Sequence, residues 1–439
     1  MSHPTPRYTQ LDSWIAREAI PFSLDAPEAL DAAVDRMVAA LGGSVELLGF
    51  GEALHGGEEI LQLRNRLFQR LVEAHGYSAI AIESSFPRAR AVNEYIAGRG
   101  PASYEEVREA GFGQAFGVLE ANRELVEWMR RYNADPAHRV KLQFYGFDIP
   151  TGTLGIASPR QVLGFALDYL AAHDSAAGRA CRERIEPLLG QDSDWENPAA
   201  IADPAKSIGL SPEATALRIE TEELISKLRV RRPELVARSD AARYEEALHY
   251  ASVARQLLSF HAAMARESDH AERLGIRDAL MADNLAYVLS RERGRGKVLV
   301  FAHNSHLKRG RAHWQMGAAL HTWWPAGAHL DTLLGPRYAV VGSAVGVSEA
   351  NGIGRPEPGT LEALLTGAPG LGRLIPTHRG RALPSAAVVG LPTRSGSVKN
   401  PTYIPLSPES LADFDWLAVL DTATYNRGGP PLDAWDAEE

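Results

Sequence analysis

Residues 47–83 read LLGFGEALHGGEEILQLRNRLFQRLVEAHGYSAIAIE, and this stretch decides the fold class. Its two ends, Leu47–Glu52 and Ser78–Glu83, are short continuous apolar runs that each finish on a glutamate. Between them, Glu58–His75 repeats apolar residues at helical spacing: Ile60, Leu63, Leu67, Phe68 and Leu71. Strands that are apolar on both faces, separated by an amphipathic helix, suit a parallel sheet covered on both sides. Two more such runs, Val140–Asp148 and Lys297–His303, end on Asp148 and His303. The expectation is an α/β protein with a central, mainly parallel sheet and flanking helices. Further helices are expected after Pro87, over Leu119–Asn133 and near Asp269–Leu289, and further strands at Tyr338–Val347 and Trp416–Leu420.

From Ser158 to Arg293 the strand-like runs stop. Charged, Ala- and Leu-rich helical sequence replaces them, as in Pro212–Arg229 and Tyr244–Met264. That pattern predicts a largely helical insertion, or cap, within an α/β core. The expected parts are a first half of the core (1–157), the insertion (158–295) and a second half of the core (296–439).

Composition narrows the function classes. Hydrophobic residues at 45% and charged residues at 23% are ordinary for a globular chain and exclude wholesale disorder. A net charge of -9 lacks the basic footprint of a nucleic-acid binder. No apolar run approaches the roughly 18 residues of a membrane span, and the polar N-terminus has no secretory core. A cytoplasmic protein acting on a small molecule, with no nucleic-acid or membrane partner, is expected. The single cysteine, Cys181, excludes a disulfide framework and a Cys-rich zinc site.

In open α/β sheets, ligands collect beyond the carboxyl ends of the strands. Glu52, Glu83, Asp148 and His303 all finish there, with His55 three residues after Glu52 and His306 three after His303. Together they define a candidate shared site. Arg64 adds a separate argument, because at about 100° per residue it falls in the middle of its helix's apolar stripe. An arginine aimed at the core is costly unless a carboxylate pairs with it. Glu52 and Glu83 are its natural partners; the plain alternative is a structural ion pair or a head that snorkels past the helix end.

The turn Gly49–Gly57 is glycine-rich and opens onto a helix, so its amides could meet an anion or a developing oxyanion. Leu54 breaks the dinucleotide-binding pattern, and the P-loop, H-E-x-x-H and G-x-S-x-G motifs are absent. A standard serine-hydrolase mechanism is therefore not expected. Glu52, His55, Glu83, His303 and His306 are also metal-ligand types, which keeps a divalent cation as an alternative. Trp314, Trp323 and Trp324 follow the late histidines and either line a pocket or pack the cap.

The chain resembles the erythromycin esterase family, which includes succinoglycan-biosynthesis-like proteins. The resemblance rests on GEALHGGEEILQLRNRLFQRL (Gly51–Leu71), on AIAIESSFPRA with Glu83 and Pro87, and on Trp128-Met129-Arg130-Arg131-Tyr132-Asn133. It continues through Tyr145–Asp148, Arg277-Asp278, Asn284 and the late strand VLVFAHNSHL. It implies hydrolysis of an ester or lactone, macrolide-like or another natural product, with a link to antibiotic resistance and no cofactor. It further implies that His55 is the general base, that Glu52 and Glu83 orient it, and that Arg64 holds the carboxylates. His303 would assist at the carbonyl or leaving group, with His306 as its companion; Asp148 and Trp314 are expected at the substrate. Leu54 and Ser84-Ser85-Phe86 depart from the family's pattern and bear on macrolide specificity. Two other classes stay open: a biosynthetic enzyme using the same residues for elimination, cyclisation or acyl transfer, and a binder of haem or a metal.

Overall fold

The structure is a computed structural model that describes residues 6–113, 116–152, 155–266, 270–316, 319–366, 372–381, 385–430 and 432. The strands of its first half are β1 (Ile20–Phe22), β2 (Leu47–Glu52), β3 (Tyr77–Ser85) and β4 (Gln143–Asp148). Those of the second half are β5 (Lys297–His303), β6 (Ala312–Met316), β7 (Ala319–Trp323), β8 (Tyr338–Val347), β9 (Gly372–Pro376) and β10 (Trp416–Thr422). Eight of them form one sheet in the order β1-β9-β10-β8-β2-β5-β3-β4, while β6 and β7 pair as a separate hairpin. Only β9 runs against its neighbours; every other pairing in the large sheet is parallel. This is the expected α/β fold with a mainly parallel sheet.

Strand order departs from the simplest reading of residues 47–83. The helix Glu58–His75 joins β2 to β3, but those strands are not neighbours, because β5 lies between them. Glu52 is thereby placed opposite His303, and Ile82 opposite Phe301. A glycine makes this close fit possible. A Cβ on Gly51 would stand 2.3 Å from Asn304 Oδ1. Without it, Asn304 reaches across β2, donating to the Ser343 carbonyl (2.8 Å) and accepting from the Ser343 N–H (3.0 Å) on β8. Three parallel strands are thus tied together at their carboxyl ends.

Strand alternation sorts the core into two layers. Phe50, Ile80, Ile82, Leu299 and Phe301 point to one face, against the helices Pro27–Leu41, Glu58–His75 and Glu120–Ala134. Leu47, Ala79, Ala81, Val298 and Val300 point to the other, where they meet Met281, Leu285 and Val288 of the helix His270–Glu292. Burying each such side chain contributes about 1.5–3 kcal/mol.

Between β4 and β5 the described residues form helices and no strand. Helices such as Arg160–His173, Pro212–Val230 and Ala241–Met264 bury a third cluster, which touches the core through Phe86 and Ile149. Side chains of Asp174, Ser211 and Asp240 cap three of these helices by accepting backbone N–H groups, which explains where they start. The last helix of the segment, His270–Glu292, returns to the sheet and carries polar residues to its carboxyl edge. No helix among the described residues is long and apolar enough to cross a membrane.

Candidate active site

Glu52 ends β2, and the chain turns through residues 53–57 before the helix Glu58–His75 begins. The turn brings His55 Nδ1 to 2.7 Å from Glu52 Oε1. Burial raises the Glu52 carboxyl above its ordinary range, and the adjacent His55 opposes that rise. The turn is held from outside by late segments of the chain. The His55 N–H donates to Thr402 Oγ1 (3.0 Å), and Asn400 Nδ2 donates to the His55 carbonyl (2.7 Å). Thr402 Oγ1 in turn donates to Asn400 Oδ1 (2.6 Å), and Asn351 Nδ2 donates to the Gly56 carbonyl (3.0 Å). Gly56 has φ +102°, and a Cβ there would stand 2.9 Å from the Tyr425 ring, so only glycine suits the turn.

Glu83, on β3, anchors a second network. Its Oε2 accepts the His303 N–H at 2.8 Å, and its Oε1 accepts Arg277 Nη2 at 3.1 Å with His306 Nε2 at 3.3 Å. Arg277 also grips Asp148 through Nε (2.9 Å) and Nη2 (2.7 Å). His306 Nδ1 lies 2.9 Å from Asp278, which further accepts Trp323 Nε1 and the Ala326 N–H, each at 2.7 Å. Burial works against the Glu83 charge, yet His306, His55 and Arg277 hold its carboxyl well below the usual range. Burial also opposes charge on His306, but Asp278 and Glu83 overcome it and push its pKa up to about 10. His306 is therefore an imidazolium between two carboxylates at neutral pH.

His303 is the opposite case. Its Nδ1 accepts the Ser305 N–H (3.1 Å), and its Nε2–H donates to the Thr402 carbonyl (2.9 Å). Both ring nitrogens are engaged, and the tautomer is fixed. Burial, reinforced by His55, lowers its pKa to about 3. The two rings lie 5.4 Å apart, centroid to centroid.

Arg64 is 1% exposed, but among the described residues it meets no carboxylate at ion-pair distance. Its Nε and Nη2 donate to Asn65 Oδ1 (3.0 and 2.8 Å), and its guanidinium lies 4.8 Å from the Phe301 ring centroid. Burial lowers its pKa to about 10, with Glu52 acting in the other direction. Arg64 instead faces a small cavity whose polar lining is Glu52, His55, Arg64, Glu83, Asn122 and Asn426. Phe116 and Phe301 are among its apolar walls.

Four of the residues singled out in the sequence, Glu52, His55, Arg64 and Glu83, thus share one cavity, with His303 and His306 packed beside them. Asp148 and Trp314 do not line it. β4 is one strand farther out, and Asp148 is engaged by Arg277. Trp314 is in the β6–β7 hairpin, opposite His321. Arg277 and Asp278 entered the sequence reading only as part of a motif. The argument that flagged Arg64 would have flagged Arg277, an arginine among Ile276, Leu280 and Met281 on its helix. Asn122, Asn400, Thr402 and Asn426 carried no such signal. Among the described residues, no three His, Cys, Asp or Glu side chains are placed to hold a metal ion.

The fold and its buried histidine–carboxylate cluster define an α/β protein with a candidate site at the carboxyl edge of its sheet. The model of the erythromycin esterase family matches residues 72–423, and the chain belongs to that family. The matched segment begins after Glu52, His55 and Arg64. Erythromycin esterase type II of Escherichia coli is 23% identical over 308 residues, covering 68% of this chain and 69% of its own. Among solved structures, a Bacillus cereus protein superposes with a TM-score of 0.75 at 18% identity, covering 96% of this chain and 99% of its own. A succinoglycan biosynthesis protein gives 0.72 at 20% identity, covering 98% and 100%. A mutant of the erythromycin esterase EreC in its open conformation gives 0.65 at 18% identity, covering 90% and 94%.

Proposed function

We propose that this chain is a hydrolase that cleaves an ester or lactone with water activated by His55, without a covalent intermediate. The observation that carries the reading is the 2.7 Å contact between Glu52 and His55 Nδ1 at a cavity also lined by Arg64 and Glu83. A carboxylate on Nδ1 fixes the tautomer in which Nε2 takes a proton. Water gives that proton to His55, and its oxygen adds to the carbonyl carbon. The resulting oxyanion is stabilised by the Arg64 guanidinium, a donor already buried and oriented. Collapse breaks the bond to the alkoxide, which recovers the proton from His55. Glu52 stabilises the imidazolium formed between the two steps. His303, with both nitrogens engaged, is assigned a positioning role, and the Arg277–Glu83–His306 network keeps negative charge fixed beneath the site. Family membership supports ester hydrolysis; a macrolide or another natural-product ester is the proposed substrate class.

The test is mass spectrometry of macrolides and aryl esters incubated with the protein in heavy-oxygen water. Hydrolysis adds one water to the substrate and leaves the heavy oxygen in the acid product. Products lacking that oxygen would assign the site to elimination or transfer.

A further inference from the structure

We infer that the cavity is the subsite for the acyl half of the substrate, and that Asn122 and Asn426 select acyl groups carrying a hydroxyl close to the carbonyl. The inference rests on the hydrolase reading above and names its substrate class.

Asn122 is 2% exposed and stands in the first turn of the helix Glu120–Ala134. Its Nδ2 donates to the Phe116 carbonyl at 2.8 Å, which fixes the amide's orientation, since the reverse would oppose two oxygens. Its Oδ1 is buried with no hydrogen-bond partner among the described residues. Asn426, 5% exposed, comes from late in the chain and has the same feature, a buried Oδ1 without a partner among the described residues. Buried amide oxygens are almost always satisfied, and each exception calls for an explanation. Here two exceptions line the same cavity as Glu52, His55 and Arg64.

The chemistry of this lining is asymmetric. Arg64 supplies donors, while the two amide oxygens accept only. A carbonyl oxygen suits Arg64, and a hydroxyl donor on the same acyl group suits the asparagines. A plain alkanoyl group leaves both amide oxygens unpaired, and a site built around a substrate hydroxyl discriminates strongly against the analogue that lacks it. The space between these side chains is small and partly open to solvent. Only a compact acyl group can approach these side chains, with the larger alcohol part outside.

The experiment compares p-nitrophenyl lactate with p-nitrophenyl propionate, which differ by one hydroxyl, on the full chain and on Asn426→Leu and Asn426→Ser. The expected result is a kcat/KM ratio of about tenfold or more for lactate over propionate, falling towards unity in both variants. Thermal melting of each variant checks that it is folded, and the smaller serine serves if leucine disrupts packing. Equal rates on the two esters, or a ratio untouched by either variant, overturn the inference while hydrolysis stands. Turnover of neither ester counts against the hydrolase reading, and calorimetry with lactate and propionate anions then decides the subsite. Tighter lactate binding that depends on Asn426 upholds it; equal binding overturns it.

Discussion

Thr402 touches both histidines at once: its Oγ1 accepts the His55 N–H at 3.0 Å, and its carbonyl accepts His303 Nε2–H at 2.9 Å. A residue almost 350 positions from His55 in sequence thus sets the position of the proposed base and the tautomer of its neighbour. Its hydroxyl proton goes to Asn400, whose amide returns to the His55 carbonyl, so the clamp closes on itself.

Thr402→Val keeps the shape of the side chain and removes the hydroxyl. The expected loss is about 1–3 kcal/mol of stability, because the buried His55 N–H and Asn400 Oδ1 lose a partner. In turnover, kcat should fall at least about tenfold with little change in KM, since the base is displaced and not removed. Thr402→Ser should restore both. A valine variant with wild-type kcat would show that the clamp does not position His55.

Much of this was legible in the sequence, and the reasons differ by element. β2, β5 and β8 are buried throughout except at Lys297 and Val347, so their apolar runs stand out, and all three have the expected boundaries. β1 is only three residues long and contains Pro21, too short for any periodicity to register. The insertion of β5 between β2 and β3 is a long-range pairing that local pattern does not encode. The proposed base and its carboxylate were visible because they are three residues apart after a strand. Thr402, Asn400, Asn122 and Asn426 were not, because an uncharged polar residue in a loop or at a helix start looks like an ordinary turn or cap.

Arg277 grips two carboxylates, Glu83 at 3% exposure and Asp148 at 1%. Arg277→Met leaves Asp148 buried without its cation and Glu83 with His306 alone, which should cost about 3–5 kcal/mol. Urea unfolding reads this as a lower midpoint at unchanged slope. Adding Asp148→Asn should recover part of the loss. A single-variant cost below about 1 kcal/mol would mean that the network is not anchored by Arg277.

The His306 imidazolium gives a pH signature. Its folded pKa, about 10, lies above the ordinary 6.5. The folded state therefore holds this proton more tightly than the unfolded state. The stabilisation is complete below pH 6.5 and is lost as pH rises through about 10. His306→Gln should be less stable at pH 6 to 7 and should show a flatter decline towards pH 10, measured by denaturation at each pH. Parallel curves for the two proteins would contradict a charged His306.

The donor geometry also makes a prediction about metals. His303 has both nitrogens engaged, and Glu83 is held by Arg277, His306 and a backbone amide. Dialysis against a chelator should leave both Tm and turnover unchanged. Loss of activity that a single divalent cation restores would replace the metal-free mechanism.

The most direct test is turnover by His55→Ala against the wild-type protein, on whichever ester or lactone gains one water with the wild type. Circular dichroism and Tm would show that the variant is folded, as expected for a turn residue that contributes its backbone, not its side chain, to the Thr402 clamp. The predicted result is loss of the water-addition product by a factor of at least about a hundred, as removal of a general base entails. Hydrolysis by folded His55→Ala at the wild-type rate would contradict the assignment of His55 as the base.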